Sequence, residues 1–325
     1  QGEAAVIDPR RDCEVYVDLA QRRACRVVHI LETHRNEDYL IGSLELAART
    51  GAAVWHADSQ WPYQYGLAVE DGQRWRVGSL ELQAIHAPGH TPGMMAYLLR
   101  EAGGAPWVLF SGDAMFAGEV GRVDLLGMEQ AAEMAGLLHD SLFGRLLPLG
   151  DEVLLCPAHG AGSACGAAIA DRPWTSIGLE RRLNPLLQLE DRQEIVRRAA
   201  LELELPPSFR RMEELNVQGP PRLGPLPVPA PLSAADLAAQ AGSGALLLDT
   251  RLELGFNAAH VPGALSIWLE GVPRFAAWFL PYEQPILLVT EGDDPTPAVR
   301  YLVRLGFDRL AGYLAGGMRA WHKAG

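Results

Sequence analysis

Four times in the first 160 residues, an apolar run of strand length breaks into a short loop carrying histidine or aspartate beside glycine or proline. The runs RVVHILET (26–33), LELQAIHAPG (80–89), WVLFSGD (107–113) and EVLLCPAHG (152–160) lead into THRNED (33–38), HAPGHTPG (86–93), FSGDAMF (110–116) and CPAHG (156–160). A short apolar run bounded by turn residues predicts a buried strand. Polar loops at strand ends are where α/β proteins place their chemistry. A lone loop histidine is commonly a capping residue. Four such loops in series predict instead that their side chains gather at one edge of a sheet.

The flanking segments fit an α/β chain. AAVIDP (4–9) and AAVWHA (52–57) read as strands, VYVDLAQRRA (15–24) as an amphipathic helix, and 37–51 as a helix stopped by Gly51. From about 128 the text turns helical, with one helix over 131–147 and others over 179–188 and 190–203. Six prolines fall in the last fourteen residues of VQGPPRLGPLPVPAPLS (217–233), which predicts a stiff linker. The expected organisation is a first domain over 1–216, the linker over 217–233 and a smaller unit over 234–325. In the last, alternating strands and helices predict a small parallel sheet. Ser233 is its expected first helix cap.

A net charge of −12 argues against a nucleic-acid partner. No run of about 18 apolar residues is present, so no membrane span is expected, and no secretory signal is seen. The first residue is Gln1, inside a strand-like stretch, which suggests that a short piece precedes it. Four cysteines, Cys13, Cys25, Cys156 and Cys165, form no C-x-x-C pair. So few predict free thiols and a cytoplasmic setting. A homo-oligomer is left open.

The four loops resemble those of the metallo-β-lactamase superfamily, which implies an αββα sandwich with metal at one sheet edge. In the full pattern, Thr-His-x-His-x-Asp-His, the loop serves two metals. Here it reads Thr33-His34-Arg35-Asn36-Glu37-Asp38-Tyr39, and two histidines are missing, at Asn36 and Tyr39. His34, His90 and Asp113 remain. Two imidazoles and a carboxylate are the facial triad of non-haem Fe(II) oxygenases, which leaves about three positions open. The set is similar to that of the persulfide dioxygenases, and GEVGRVDLLG (118–127), HGAGSACG (159–166) and DRPWTSIGLERRLNP (171–185) resemble the forms fused to a rhodanese domain.

That resemblance implies one Fe(II) per chain, a thiol persulfide (glutathione persulfide or similar) and O₂ as substrates, and sulfite and thiol as products. It implies that Arg122 holds a carboxylate of the thiol carrier. Cys156 stands where glutathione-using members carry a tyrosine, so another thiol carrier is also expected. His159 is expected beside the metal, holding water or orienting Asp113, Asp38 is either beside the metal or a helix N-terminal acid, and Cys165 is either a sulfur-contacting thiol or structural. The alternative is a zinc-dependent hydrolase of the glyoxalase II type, with two metals and activity without O₂. A non-catalytic sulfur carrier is the third reading.

ALLLDTRLELGFNAAHVPGALSI (245–267) and RLGFDRLAGYLAGGMRAW (304–321) resemble the opening and closing segments of a rhodanese domain, through Asp249, Arg251, His260 and Trp321. A working rhodanese needs a cysteine in the loop after its central strand, here VTEGDDPTPAVR (289–300). That loop has none, and no cysteine follows Cys165. The resemblance therefore implies the fold without sulfurtransferase activity.

Overall fold

Period-two alternation builds the first unit. In the computed structural model, which describes residues 2–166, 168–189 and 191–325, β1 (Glu3–Ile7) turns Ala5 and Ile7 to one side and Ala4 and Val6 to the other. Gln1 and Glu190, the expected first residues of the first domain and of the helix over 190–203, lie outside the described residues, as does Ala167. The chain divides into two compact units, one running to residue 205 and including 209–222, the other comprising 206–208 and 223–325.

In the first unit β1, β2 (Arg26–Leu31), β3 (Ala53–His56) and β4 (Leu67–Ala68) form a parallel sheet in that order. β5 (Arg74–Val77), β6 (Leu80–His86), β7 (Met95–Arg100), β8 (Pro106–Gly112), β9 (Leu154–Pro157) and β10 (Thr175–Ser176) form a second sheet, ordered β10-β9-β8-β7-β6-β5 and parallel only between β8 and β9. On β7, Met95 and Tyr97 face the first sheet, while Ala96 and Leu98 face the helices behind. Burial of each large apolar side chain contributes about 1.5–3 kcal/mol. Helices α1 (Glu14–Arg22) and α2 (Ser43–Thr50) cover the first sheet, and α3 (Met128–Ser141), α4 (Ile177–Leu183) and α5 (Arg192–Ala199) cover the second. This is the expected αββα sandwich. α6 (Phe209–Gln218) completes the unit.

The structure corrects three expectations. The helix over 37–51 begins only at Ser43. Residues 36–41 are irregular because their backbone is bonded to Asn216, whose Nδ2 donates to the carbonyls of Asn36 and Tyr39 (2.7 and 2.9 Å) and whose Oδ1 accepts from the Ile41 amide (3.0 Å). The helix over 131–147 gives way at Leu142 to a widened turn and then a tight one over Leu147–Leu149, where Pro148 has no N–H to continue it. The expected linker is partly built into the units. Its first residues end α6, and β11 (Ala230–Leu232) is an edge strand, a position that tolerates proline.

In the second unit β11, β12 (Leu246–Asp249), β13 (Leu265–Ser266), β14 (Ile286–Val289) and β15 (Leu310–Leu314) form a wholly parallel sheet ordered β11-β15-β14-β12-β13. Helices α7 (Ala234–Gly242), α8 (Glu253–Ala258), α9 (Val272–Phe279), α10 (Thr296–Arg304) and α11 (Gly317–Lys323) alternate with the strands. The Ser233 hydroxyl accepts from the Asp236 amide and caps α7. Leu246 and Leu248 pack on one face of the sheet and Leu247 on the other, the pattern of a sheet covered on both sides.

Candidate metal centre

The four loops meet at the ends of β2, β6, β8 and β9. His34, Glu37, His90 and Asp113 are all buried, and one donor atom from each lies within 4.8 Å of the others. His34 Nε2 is 3.6 Å from Glu37 Oε2 and 4.0 Å from Asp113 Oδ2, and His90 Nε2 is 3.0 Å from Glu37 Oε1 and 3.5 Å from Asp113 Oδ2. Octahedral donors about 2.1 Å from a cation sit about 3 Å apart when adjacent and about 4 Å when opposed. The observed spacings fall in that range.

Neighbouring groups aim the rings. Thr33 Oγ1 donates to Asp8 Oδ2 (2.6 Å), so towards His34 Nδ1 (2.8 Å) it can only accept. In the neutral ring the His34 proton is thereby held on Nδ1, which leaves the Nε2 lone pair for a metal. His90 Nδ1 donates to the Arg122 carbonyl (2.9 Å), with the same result. Glycines allow the close approach. Gly112 turns the chain with φ +54 just before Asp113, and a Cβ on Gly121 would lie 1.8 Å from the Asp113 carbonyl.

Unpartnered donor atoms point into the cluster. His34 Nε2, Glu37 Oε2, His90 Nε2 and both oxygens of Asp113 are buried without a hydrogen-bond partner. Such atoms cost about 1–3 kcal/mol each, and a cation at their meeting point would satisfy them together. Burial by itself lowers the His34 pKa, but Asp113, Glu37 and Asp8 overcome it and raise it to about 10. His90 is raised against burial by Glu37 and Asp113. Burial pushes Asp113 and Glu37 up, and the surrounding histidines hold both below the usual carboxylate range. The acids and the rings thus favour each other's charged forms. With metal, the rings would give up their protons.

His159 lies on the other side of Asp113, with Nε2 3.4 Å from Oδ1 and Nδ1 3.5 Å from Asp38 Oδ2. Asp113 and Asp38 raise its pKa to about 10 against burial, and burial takes Asp38 to about 6. Cys165 is wholly buried beside Phe116 and Ile169, and its thiol donates to Glu37 Oε1 at 3.3 Å. Burial and the nearby carboxylates push that thiol well above its ordinary pKa.

Asn36 and Tyr39 turn away from the centre, Asn36 Nδ2 donating to the His34 carbonyl and the Tyr39 hydroxyl to the Asp8 carbonyl. Cys156 lines a cavity of about 530 Å³ along the edge formed by β1 and α1. The cavity ends against Thr33, Tyr39, Gly112 and Ala158, but no side chain of the cluster lines it.

Arg122 requires a correction. Its guanidinium is buried, forms a two-pronged pair with Asp124 (2.7 and 2.7 Å) and donates to the carbonyls of Ala164, Leu203 and Glu204. With its donors spent inside the protein it cannot hold a substrate carboxylate. Its backbone carbonyl instead positions His90.

Sequence patterns did not single out Asp8, Glu37, Asp58 or Asn216. Asp58 accepts from the Arg35 and Gly93 amides and the Thr91 hydroxyl, and so ties two of the metal loops together. Glu37 alone gave a signal, as an acid three residues after His34.

In the second unit, Arg251 is paired with Asp249 (2.7 Å) at a cavity of about 390 Å³. Thr290, Glu291, Asp293 and Asp294 line it, where a working rhodanese would present a thiol.

Residues 1–159 match the metallo-beta-lactamase superfamily and residues 233–324 the rhodanese-like domain. A hydroxyacylglutathione hydrolase of Pseudomonas aeruginosa is 33% identical over 217 residues, covering 66% of this chain and 79% of that protein. The chain belongs to the metallo-beta-lactamase superfamily. Hydroxyacylglutathione hydrolase GloC of Haemophilus influenzae is 24% identical over 205 residues, covering 57% of this chain and 87% of that protein. With the Pseudomonas syringae hydroxyacylglutathione hydrolase the match spans 57% of the relative's length. Among solved structures, a metallo-beta-lactamase from Staphylococcus aureus covers 97% of this chain and 92% of its own at 27% identity, with a TM-score of 0.85. ETHE1 from Myxococcus xanthus covers 66% of this chain and 88% of its own at 29% identity, with a TM-score of 0.57. The chain is thus a metallo-beta-lactamase unit followed by a rhodanese-like one, as the motifs implied.

Proposed function

We propose that the first unit is an iron-dependent dioxygenase for a thiol persulfide. The observation that carries this reading is the donor set at one buried point, two imidazoles and two carboxylates, in a loop that has lost two histidines of the binuclear pattern. Nitrogen and oxygen donors without sulfur suit Fe(II), and four of them leave about two positions of an octahedron open. Iron held there would supply the place where a persulfide anion and O₂ meet. Thr33 and the Arg122 carbonyl fix the two ring tautomers, and Glu37 and Asp113 balance the charge of a dication. In the overall reaction the sulfane sulfur gives four electrons to O₂, water supplies the third oxygen of sulfite, and the carrier leaves as the thiol. The likeness to ETHE1 fits this branch.

A second reading is a zinc-dependent hydrolase of the glyoxalase II type. The names of the curated relatives favour it over oxygen chemistry. The deciding experiment is elemental analysis of protein purified without air, followed by O₂ uptake with glutathione persulfide and thioester hydrolysis with an acyl-glutathione under nitrogen. Iron with persulfide-dependent O₂ uptake, both lost in His90→Ala, is expected. Zinc with hydrolysis and no O₂ uptake would overturn the dioxygenase reading.

A further inference from the structure

His34, Glu37, His90 and Asp113 are at most 1% exposed, so something beside them must move before a substrate reaches the centre. α6 lies against the loop that carries His34 and Glu37. Its Glu213 pairs with Arg35, the residue after His34, and the two side chains are 17% and 8% exposed. The pair is one-pronged. Arg35 gives Glu213 only Nη2 (2.5 Å), and the Arg35 Nε is buried without a partner. Arg122 and Arg251 instead each turn both Nε and Nη2 to one aspartate. The Arg35 guanidinium lies 4.1 Å over the Trp61 ring, and Trp61 Nε1 and the Tyr63 hydroxyl are also buried without partners. Burial pushes the Tyr63 hydroxyl well above its ordinary pKa while nearby Arg35 pulls the other way, so it remains a donor. Its ring is fixed by stacking on His56 at 4.0 Å. A cation with unused donors around it is a place for a group that only accepts.

We propose that Arg35, with Trp61 and Tyr63, is the subsite for a carboxylate of the thiol carrier, and that Glu213 occupies it until the carrier arrives. The Glu213 carboxylate shows which group the site takes. A carrier carboxylate that engaged both Nε and Nη2 would hold the guanidinium by two bonds where Glu213 has one. Loss of Glu213 alone would leave a buried charge unpaired, and exchange of one carboxylate for another does not. Burial pushes the Glu213 carboxyl up against the pull of Arg35, so its own charge is poorly housed there. Release of Glu213 would loosen α6 where it lies against the metal loop, which couples arrival of the carrier to opening of the centre. This rests on the reading of the first unit as an enzyme for a carboxylate-bearing thiol carrier, which both candidate reactions share.

The probe is S-methylglutathione, which keeps the carboxylates of glutathione and has no free thiol. Its binding to the metal-loaded full chain is read by calorimetry. Arg35→Gln should weaken binding about 10–100-fold, the worth of a hydrogen bond to a charged group. Arg35→Lys, which keeps the charge and loses the fork, should weaken it less. Glu213→Gln, which removes the competing carboxylate, should tighten it. The diamide of the probe should bind equally to the wild type and to Arg35→Gln. Amide hydrogen exchange across α6 should speed on binding, where a ligand that only packed on the helix would slow it. A purely structural ion pair makes the opposite predictions. Glu213→Gln that binds the probe no tighter, a diamide as sensitive to Arg35→Gln as the probe, or slowed exchange across α6 would each overturn the proposal. It can fail apart from the enzymatic reading. Persulfide-dependent O₂ uptake unchanged in Arg35→Gln would remove the subsite and leave the dioxygenase standing. Zinc and thioester hydrolysis, with the expected binding pattern, would do the reverse.

Discussion

Asn36 and Glu37 are neighbours in sequence, and only Glu37 turns its side chain into the metal centre. It approaches both histidine rings, while Asn36 bonds back to its own loop. The lost histidine therefore does not leave a gap. The protons on the rings have a measurable consequence. In the metal-free protein His34 and His159 hold their protons up to about pH 10, whereas a metal binds the neutral ring. Metal uptake at neutral pH should therefore release protons. Apparent affinity should rise about tenfold per pH unit for each proton released and fall on acidification. Titrations between pH 6 and 9, with proton release followed by indicator dye, check this. Arg122→Ala strips a buried partner from Asp124 and should cost about 3–5 kcal/mol in chemical denaturation. A substrate-binding role would instead raise KM and leave the denaturation midpoint in place.

At the scale of elements, a helix that sequence periodicity assigns to no site restrains the metal loop. α6 places Asn216 against the carbonyls of Asn36 and Tyr39 and the Ile41 amide, and Glu213 against Arg35, whose guanidinium also lies 4.1 Å over the Trp61 ring. Asn216→Ala leaves these groups buried and unpaired. It should destabilise the fold by about 2–4 kcal/mol and speed metal loss to a chelator, both read in one urea and chelation series. The strands were legible in sequence because a half-buried sheet imposes period two, and β7 shows it without a break. Residues 37–41 read as helix in sequence because the partner that holds them open, Asn216, lies about 180 residues away.

For the whole molecule, the two units carry different amounts of chemistry. The first gathers three histidines, two further carboxylates and a thiol around Asp113. The second keeps the parallel sheet and the Asp249–Arg251 pair of a rhodanese-like unit but lines its cavity with acids and no thiol. The full chain should therefore show no thiosulfate-to-cyanide sulfur transfer above the uncatalysed rate, measured as thiocyanate formed. Transfer that survived replacement of Cys156 and Cys165 would refute this.

The order of residues alone carries the two folds, the placing of His34, His90, Asp113 and His159 at strand ends, and the absence of a rhodanese cysteine. These follow from periodicity, from turn residues and from composition, which are local or countable. Long-range packing establishes that Glu37 joins the centre, that Cys165 lies beside His159, that Asp58 and Asn216 brace the loops, and that Arg122 is enclosed. Each of these depends on where an irregular segment points its side chains. That direction is set by contacts between residues far apart in the chain, such as Asn216 with Asn36 and Cys165 with Glu37, and no local pattern encodes them.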